Sequence, residues 1–225
     1  ADLVFTSLNL ASVANTTLTG GSSLSADVIG GDTLSADNSR VTAGTINTSG
    51  AVNAAGSTVT ATGTMTAGTI SADNSTVSAG SMTADSMSFT NGSDVTSTGA
   101  MNSSDGITVD SSTIHADSMT ANGMSFTNGS DIDTAAMNSS AGITITSSDV
   151  SANSMAASHD ISATNSTVNA SDTMAADGSI TTDGSTVTVA NAMSGANIAM
   201  TDNTTETGST ARGEGVTAKV KTARV

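Results

Sequence analysis

The strongest constraint on this chain is a spacing. Aliphatic residues return about every eighteen positions at Val41, Val59, Val77, Val95, Ile114, Ile132, Val150, Val168 and Val187, with two of the steps being nineteen. A second series holds Ile46, Met65, Met82, Met101, Met119, Met137, Met155, Met174 and Met193, and a third holds Val52, Ile70, Met87, Ile107, Met124, Ile143, Ile161, Ile180 and Ile198. LSADNSRV (34–41) copies ISADNSTV (70–77), so Leu34 joins the third series, and Leu8, Val13, Leu18, Leu24 and Ile29 continue the pattern upstream more loosely. A repeat this short cannot bury its own apolar face, so it must stack on its neighbours.

Each segment reads aliphatic, polar, then usually Ala, as in Val59-Thr60-Ala61 and Met65-Thr66-Ala67. Alternation over so few residues describes a strand with one buried face rather than a helix. Gly, Asp, Asn or Ser follows, residues that tolerate tight or left-handed backbone. Three strands and three corners make a coil. About eleven coils, stacked at about 4.8 Å, predict a three-sided parallel β-helix roughly 50 Å long over residues 1–200.

A longer repeat is laid over this one. MTADSMSFTNGSDV (82–95) matches MTANGMSFTNGSDI (119–132), and AMNSSDGITV (100–109) matches AMNSSAGITI (136–145). The register puts Phe89 and Phe126 inside, two residues after Met87 and Met124, at places filled by Ala72, Val109 and Ile145 in other coils. The copied segment is therefore a double-coil duplication whose phenylalanines fill the interior. The methionines of the second series read as filler for a narrow, irregular core.

Composition agrees with an unusual core. Of 225 residues 1% are aromatic, and Pro, Cys, Trp and Tyr are absent, so a conventional interior of large side chains cannot be assembled. Order has to come from backbone ladders. The net charge is −15, and residues 1–211 carry one Arg against 19 acids, a net −18. That excludes nucleic acid and anionic membrane surfaces as partners, and no apolar run reaches the roughly 18 residues of a membrane span. A start at Ala1 and a Ser/Thr/Asn-rich, Lys-poor composition lead us to expect a secreted, extracellular or cell-surface protein.

The segment STVSAGSMTADSMSFTNGSDV resembles the parallel β-helix repeats of secreted bacterial haemagglutinin and autotransporter passenger domains. The resemblance covers about residues 8–200 and rests on period and composition. Hexapeptide acyltransferases share the eighteen-residue coil but in strict sixes, whereas the spacings here run 5, 5–6 and 7–8, which favours a right-handed coil.

No catalytic constellation stands out, and the chain is read as not an enzyme. His115 should point outward and His159 lies in the corner ASHD, both away from any ligand array, while Asp131 and Asp133 form the closest outward acid pair. The corners NGSD (91–94 and 128–131) offer oxygen ligands to an occasional calcium ion, but the regular calcium-binding nonapeptide is missing, so no cofactor is expected. The Asn-x-Ser/Thr sites at Asn74 and Asn165 read as ladder residues. Thr58/Thr60, Thr76/Ser78, Thr113/His115 and Thr186/Thr188 resemble the Thr-x-Thr rows of ice-binding solenoids, but Asp94, Asp131, Asp133 and Asp149 interrupt them.

The chain ends differ from the repeats. Residues 1–10 are apolar and include Leu3, Val4 and Phe5, and 201–215 has linker composition. Residues 216–225 form a basic strand pattern in which Val216, Ala218, Val220 and Val225 alternate with or flank Lys219, Lys221 and Arg224. Neither end reads as a cap, although a solenoid exposes strand edges there. These residues are therefore the candidate assembly interface, with the C-terminal strand able to cap its own coil or pass to a neighbour. The expected function is a subunit that joins copies of itself head to tail into an extracellular filament or biofilm-matrix fibre. The alternatives are a monomeric adhesin rod binding surface glycans and an ice-binding solenoid.

Overall fold

The computed structural model describes residues 8–207, 210–212 and 215–220, with side-chain surroundings given for 16–199 and 201. The chain is an all-β parallel solenoid with about 18 residues per turn and about ten turns, close to the eleven counted from sequence. No helix occurs among the described residues.

Two compact units are distinguished, Ala1–Gly106 with Ser112–Asp117, and Ile107–Ser111 with Ser118–Val225. The first unit is built from β1 (Leu8–Thr19), β2 (Ser23–Asp37), β3 (Arg40–Ala55), β4 (Thr58–Asp73) and β5 (Thr76–Thr90). Two further strands, β6 (Asp94–Asp110) and β7 (Thr113–Ala121), supply residues to both units. The second unit contains β8 (Gly123–Thr127), β9 (Asp131–Ser139), β10 (Ile143–Thr146), β11 (Asp149–Ala157), β12 (Ile161–Thr164) and β13 (Thr167–Ala176). It ends with β14 (Ser179–Asp183), β15 (Thr186–Val189), β16 (Ala192–Ser194), β17 (Asn197–Thr207), β18 (Thr210–Arg212) and β19 (Gly215–Val220).

The three aliphatic series stack like on like. Val41, Val59 and Val77 are successive Cα partners, as are Ile46, Met65 and Met82, and Val52, Ile70 and Met87. In the second unit Met137, Met155, Met174 and Met193 follow one another. Phe89 stands on Ala72, and Phe126 beside Ile145. Both phenylalanines are fully buried, as placed from sequence. Each buried Val, Ile or Met is worth about 1.5–3 kcal/mol relative to exposure, so a core with few aromatics still accumulates stability coil by coil.

The register departs from the sequence reading at one upstream residue. Leu8 pairs with Leu24 and Val13 with Ile29 as expected, but a shift between Ala14 and Thr16 puts Thr16 opposite Leu34 and Leu18 opposite Ala36. Leu18 therefore sits one inward place beyond the third series. A bulge of this kind changes which residue meets the core without changing the alternation.

Each turn contains a left-handed corner. Asn38, Asn74 and Asn165 adopt φ of 47–50°, with Ser111 and Ser147 alike, and Asn91-Gly92 and Asn128-Gly129 place two such residues in succession. Gly56 and Gly184 fill the same place, and a Cβ on either would come within 2.6 Å of the Asn38 or Asn165 side-chain oxygen. Asn38 therefore lies against Gly56, and Asn165 against Gly184, in the next coil.

Candidate functional site

The residues singled out for assembly fall in different parts of the structure. Leu3, Val4, Phe5, Lys221, Arg224 and Val225 lie outside the described residues. Val216, Ala218, Lys219 and Val220 belong to β19, which pairs with β17 in the same chain: Ile198 with Val216, Met200 with Ala218 and Asn203 with Val220. Upstream, Val187 pairs with Thr205 and Met193 with Ala211. Thr205, Ala211 and Val216 thus occupy the places of the first, second and third series. The segment 201–215 includes strand at Thr201–Thr207 and Thr210–Arg212.

The NGSD corners have a use that the sequence reading did not find. Thr90 Oγ1 donates to Asp73 Oδ1 at 3.3 Å, and Asn91 Nδ2 donates to the same oxygen. The second copy repeats this, with Thr127 Oγ1 at 3.3 Å and Asn128 Nδ2 at 2.6 Å from Asp110 Oδ1. Each Phe-Thr-Asn unit therefore fills the core with Phe and clamps the aspartate of the coil below with the two residues that follow. Among the described residues no group of three His, Cys, Asp or Glu side chains is gathered as a metal site. His115, His159, Asp94, Asp131 and Asp133 are all exposed.

The following serine of this corner is also missing from the sequence reading, yet it forms a ladder through both units. Ser39 N–H donates to Ser57 Oγ, Ser57 N–H to Ser75 Oγ, and Ser75 N–H to Ser93 Oγ, at 3.0–3.3 Å. In the second unit Ser130, Ser148 and Ser166 do the same onto Ser148, Ser166 and Ser185 at 3.1–3.3 Å. Each hydroxyl passes its own proton to a carbonyl two or three residues earlier, such as Ser57 to Ala55 O at 2.8 Å. The serines are buried, and the ladder satisfies amides that leave the strand pairing at a corner. The signal was present as a serine two residues before every member of the first series.

A shallow hollow of about 190 Å³ lies beside Arg40, lined by Gly21, Ser22, Asn38 and Gly56. Its corner amides are spent within the ladder: Gly21 N–H donates to Asn38 O at 2.7 Å and Arg40 N–H to Ser22 O at 2.9 Å. Arg40 is thus left without converging amide donors for an anion.

The outward faces differ in charge. In the second unit the first segment presents Asp131, Asp133 and Asp149. On the third segment Ser125, Thr144, Ser162 and Thr181 stand in one column, and the column beside it runs from Thr146 and Thr164 to the exposed Asp183. No family model, curated protein or solved structure matches the chain.

Proposed function

We propose that the chain is a structural subunit that stacks end to end with copies of itself into a filament or matrix fibre outside the cell. One observation carries this reading. Parallel pairing continues at both limits of the described ladder, with one register shift in each, β2 on one edge of β1 and β17 on one edge of β19. A strand has two edges, and an unfilled edge is a row of amides and carbonyls ready to accept another strand. Addition of a copy satisfies those groups at either limit. A head-to-tail contact that does not close on itself propagates as a filament.

The charge supports the same reading. A chain at −15 repels its copies laterally, so stacking along the ladder is favoured over random clustering until salt or divalent cations screen the repulsion. Negative-stain microscopy of the 225-residue protein tests the proposal directly. Filaments are expected, and monomers alone from the intact chain would overturn it.

A second reading, ice binding, is favoured by the charge-free hydroxyl column Ser125, Thr144, Ser162 and Thr181. It lies on the third segment rather than the acid-interrupted first. Thermal hysteresis in the purified protein, lost in Thr144→Lys, is the expected signature, and freezing at the buffer's own melting point would remove this reading.

A further inference from the structure

A covalent change that needs only water is built into one corner of the second unit. We propose that Asn122 is a site of spontaneous deamidation, its side-chain amide activated by the hydroxyl of Ser140 in the next coil. The chemistry requires no second copy of the chain and is separate from assembly.

Three asparagines precede glycine: Asn91, Asn122 and Asn128. A glycine has no Cβ to hinder its own nitrogen, so that nitrogen can reach the Cγ of the asparagine before it. The Gly123 nitrogen attacks Cγ of Asn122, and the new N–Cγ bond closes a succinimide ring. The amide proton of Gly123 passes through solvent to Nδ2, the Cγ–Nδ2 bond breaks, and ammonia leaves. Water then opens the ring at either carbonyl, giving aspartate or the isoaspartate whose main chain runs through Cβ and Cγ. Nothing is oxidised or reduced.

The three sites differ in what touches the side chain. Ser140 Oγ donates to Asn122 Oδ1 at 3.0 Å, and this is the oxygen on which negative charge develops when Cγ is attacked. The ladder holds the donor in place, with Ser140 N–H donating to Ala121 O at 3.0 Å and Ala141 N–H to Asn122 O at 2.6 Å. At the other two sites the neighbour is a carboxylate. Asn91 Nδ2 donates to Asp73 Oδ1, and Asn128 Nδ2 to Asp110 Oδ1. A negative charge so close opposes the charge that attack creates, which slows both. Asn91-Gly92 and Asn128-Gly129 are also successive left-handed residues, as Asn122-Gly123 is not. Asn153 has a comparable hydroxyl donor, Ser171 Oγ at 2.8 Å, but Ser154 follows it and brings a Cβ beside the attacking nitrogen. Among the described residues, Asn122 alone combines the following glycine with the hydroxyl.

Asn122 and Ser140 are exposed, so water reaches the ring. Asn122 is the single residue between β7 and β8. Its conversion puts a carboxylate, and in isoaspartate an added main-chain carbon, just before Met124 pairs with Ile143.

The test follows the 225-residue protein over time in neutral buffer. Cleavage before aspartate gives 85–93, which holds Asn91, and 117–130, which holds Asn122 and Asn128. Fragment-ion masses should place most of the amide-to-acid change at Asn122. Ser140→Ala should slow that change about 2- to 10-fold, the worth of one hydrogen bond, and Ser140→Thr should keep the faster rate. Asn91 and Asn128 should be unaffected by either variant, which also shows that the variants are folded. In urea-unfolded protein the three rates should converge and Ser140→Ala should have no effect. Equal rates at the three sites of the folded protein, or an Asn122 rate indifferent to Ser140→Ala, would overturn the proposal.

Discussion

The two compact units build their cores from the same three series but turn their second corner differently. In the first unit that corner is a glycine column. A Cβ on Gly44, Gly63, Gly80 or Gly99 would come within 2.7–2.9 Å of a carbonyl oxygen in the coil below. Side-chain volume is excluded there because backbone sits directly on backbone. In the second unit the corner has side chains that tie successive coils together, with Ser171 Oγ donating to Asn153 Oδ1 at 2.8 Å and Asn191 Nδ2 to Asp172 Oδ1 at 2.6 Å. The third corner differs as well. Five residues separate Met65 from Ile70 and Met82 from Met87, and β4 and β5 run through unbroken for 16 and 15 residues. Six separate Met137 from Ile143 and Met155 from Ile161, and the strands end there, giving elements such as β10 and β12 of four residues. The 16-residue β3, in which Val52 follows Ile46 by six, still runs through, with Gly50 placed so that a Cβ would meet Asp32 O at 2.6 Å. The inward series set where a coil lies, and the corner residues set how closely the next one follows.

If the two cores are built alike, Phe89→Ala and Phe126→Ala should be equally damaging. Each opens a cavity in a fully buried place and should cost about 3–5 kcal/mol. Urea melts followed by circular dichroism would measure this, since the chain has no Trp or Tyr to report by fluorescence. A difference well above about 1 kcal/mol between the two would show that the units do not hold their cores alike. The corners should then separate the units. Gly80→Ala pushes a Cβ against Gly63 O and should cost about 1–3 kcal/mol, whereas Asn153→Ala removes one exposed hydrogen bond and should cost less than about 1 kcal/mol. Equal melting points for these two variants would break the distinction drawn above.

The serine ladder provides a control that is present in each unit. Ser57→Ala strands the buried amide of Ser39, and Ser148→Ala strands that of Ser130, so each should lose about 1–2 kcal/mol. Substitution by Thr, which keeps the hydroxyl, should recover part of the loss in the same melts. A loss in one unit only would mean that the ladder is structural there and incidental in the other. The smallest effect should be a gain. Thr48 is buried, its hydroxyl has no hydrogen-bond partner, and Ala67 and Ala84 fill the equivalent inward place in the next coils. Thr48→Val should raise stability by up to about 1 kcal/mol, and a lower midpoint would show that the hydroxyl is satisfied in solution.

Much of this molecule is written along the chain because its two periods are both one-dimensional. Alternation of two put Val59 inside and Thr60 outside, and the return of eighteen put Val59 between Val41 and Val77, so the class of fold, the three series and the burial of Phe89 and Phe126 followed from residue types alone. The places that depended on three dimensions are those where residues about eighteen apart meet through polar atoms or backbone. Nothing local to Thr90-Asn91 says that Asp73 waits below, nothing local to Gly63 says that a carbonyl of Gly44 excludes a Cβ, and Ser57 looks like any turn serine until the amide of Ser39 is seen to point at it. Apolar burial is nondirectional and reads as pattern. Hydrogen bonds and close backbone approach depend on distances of a few tenths of an ångström, which are settled only when one coil comes to rest on another.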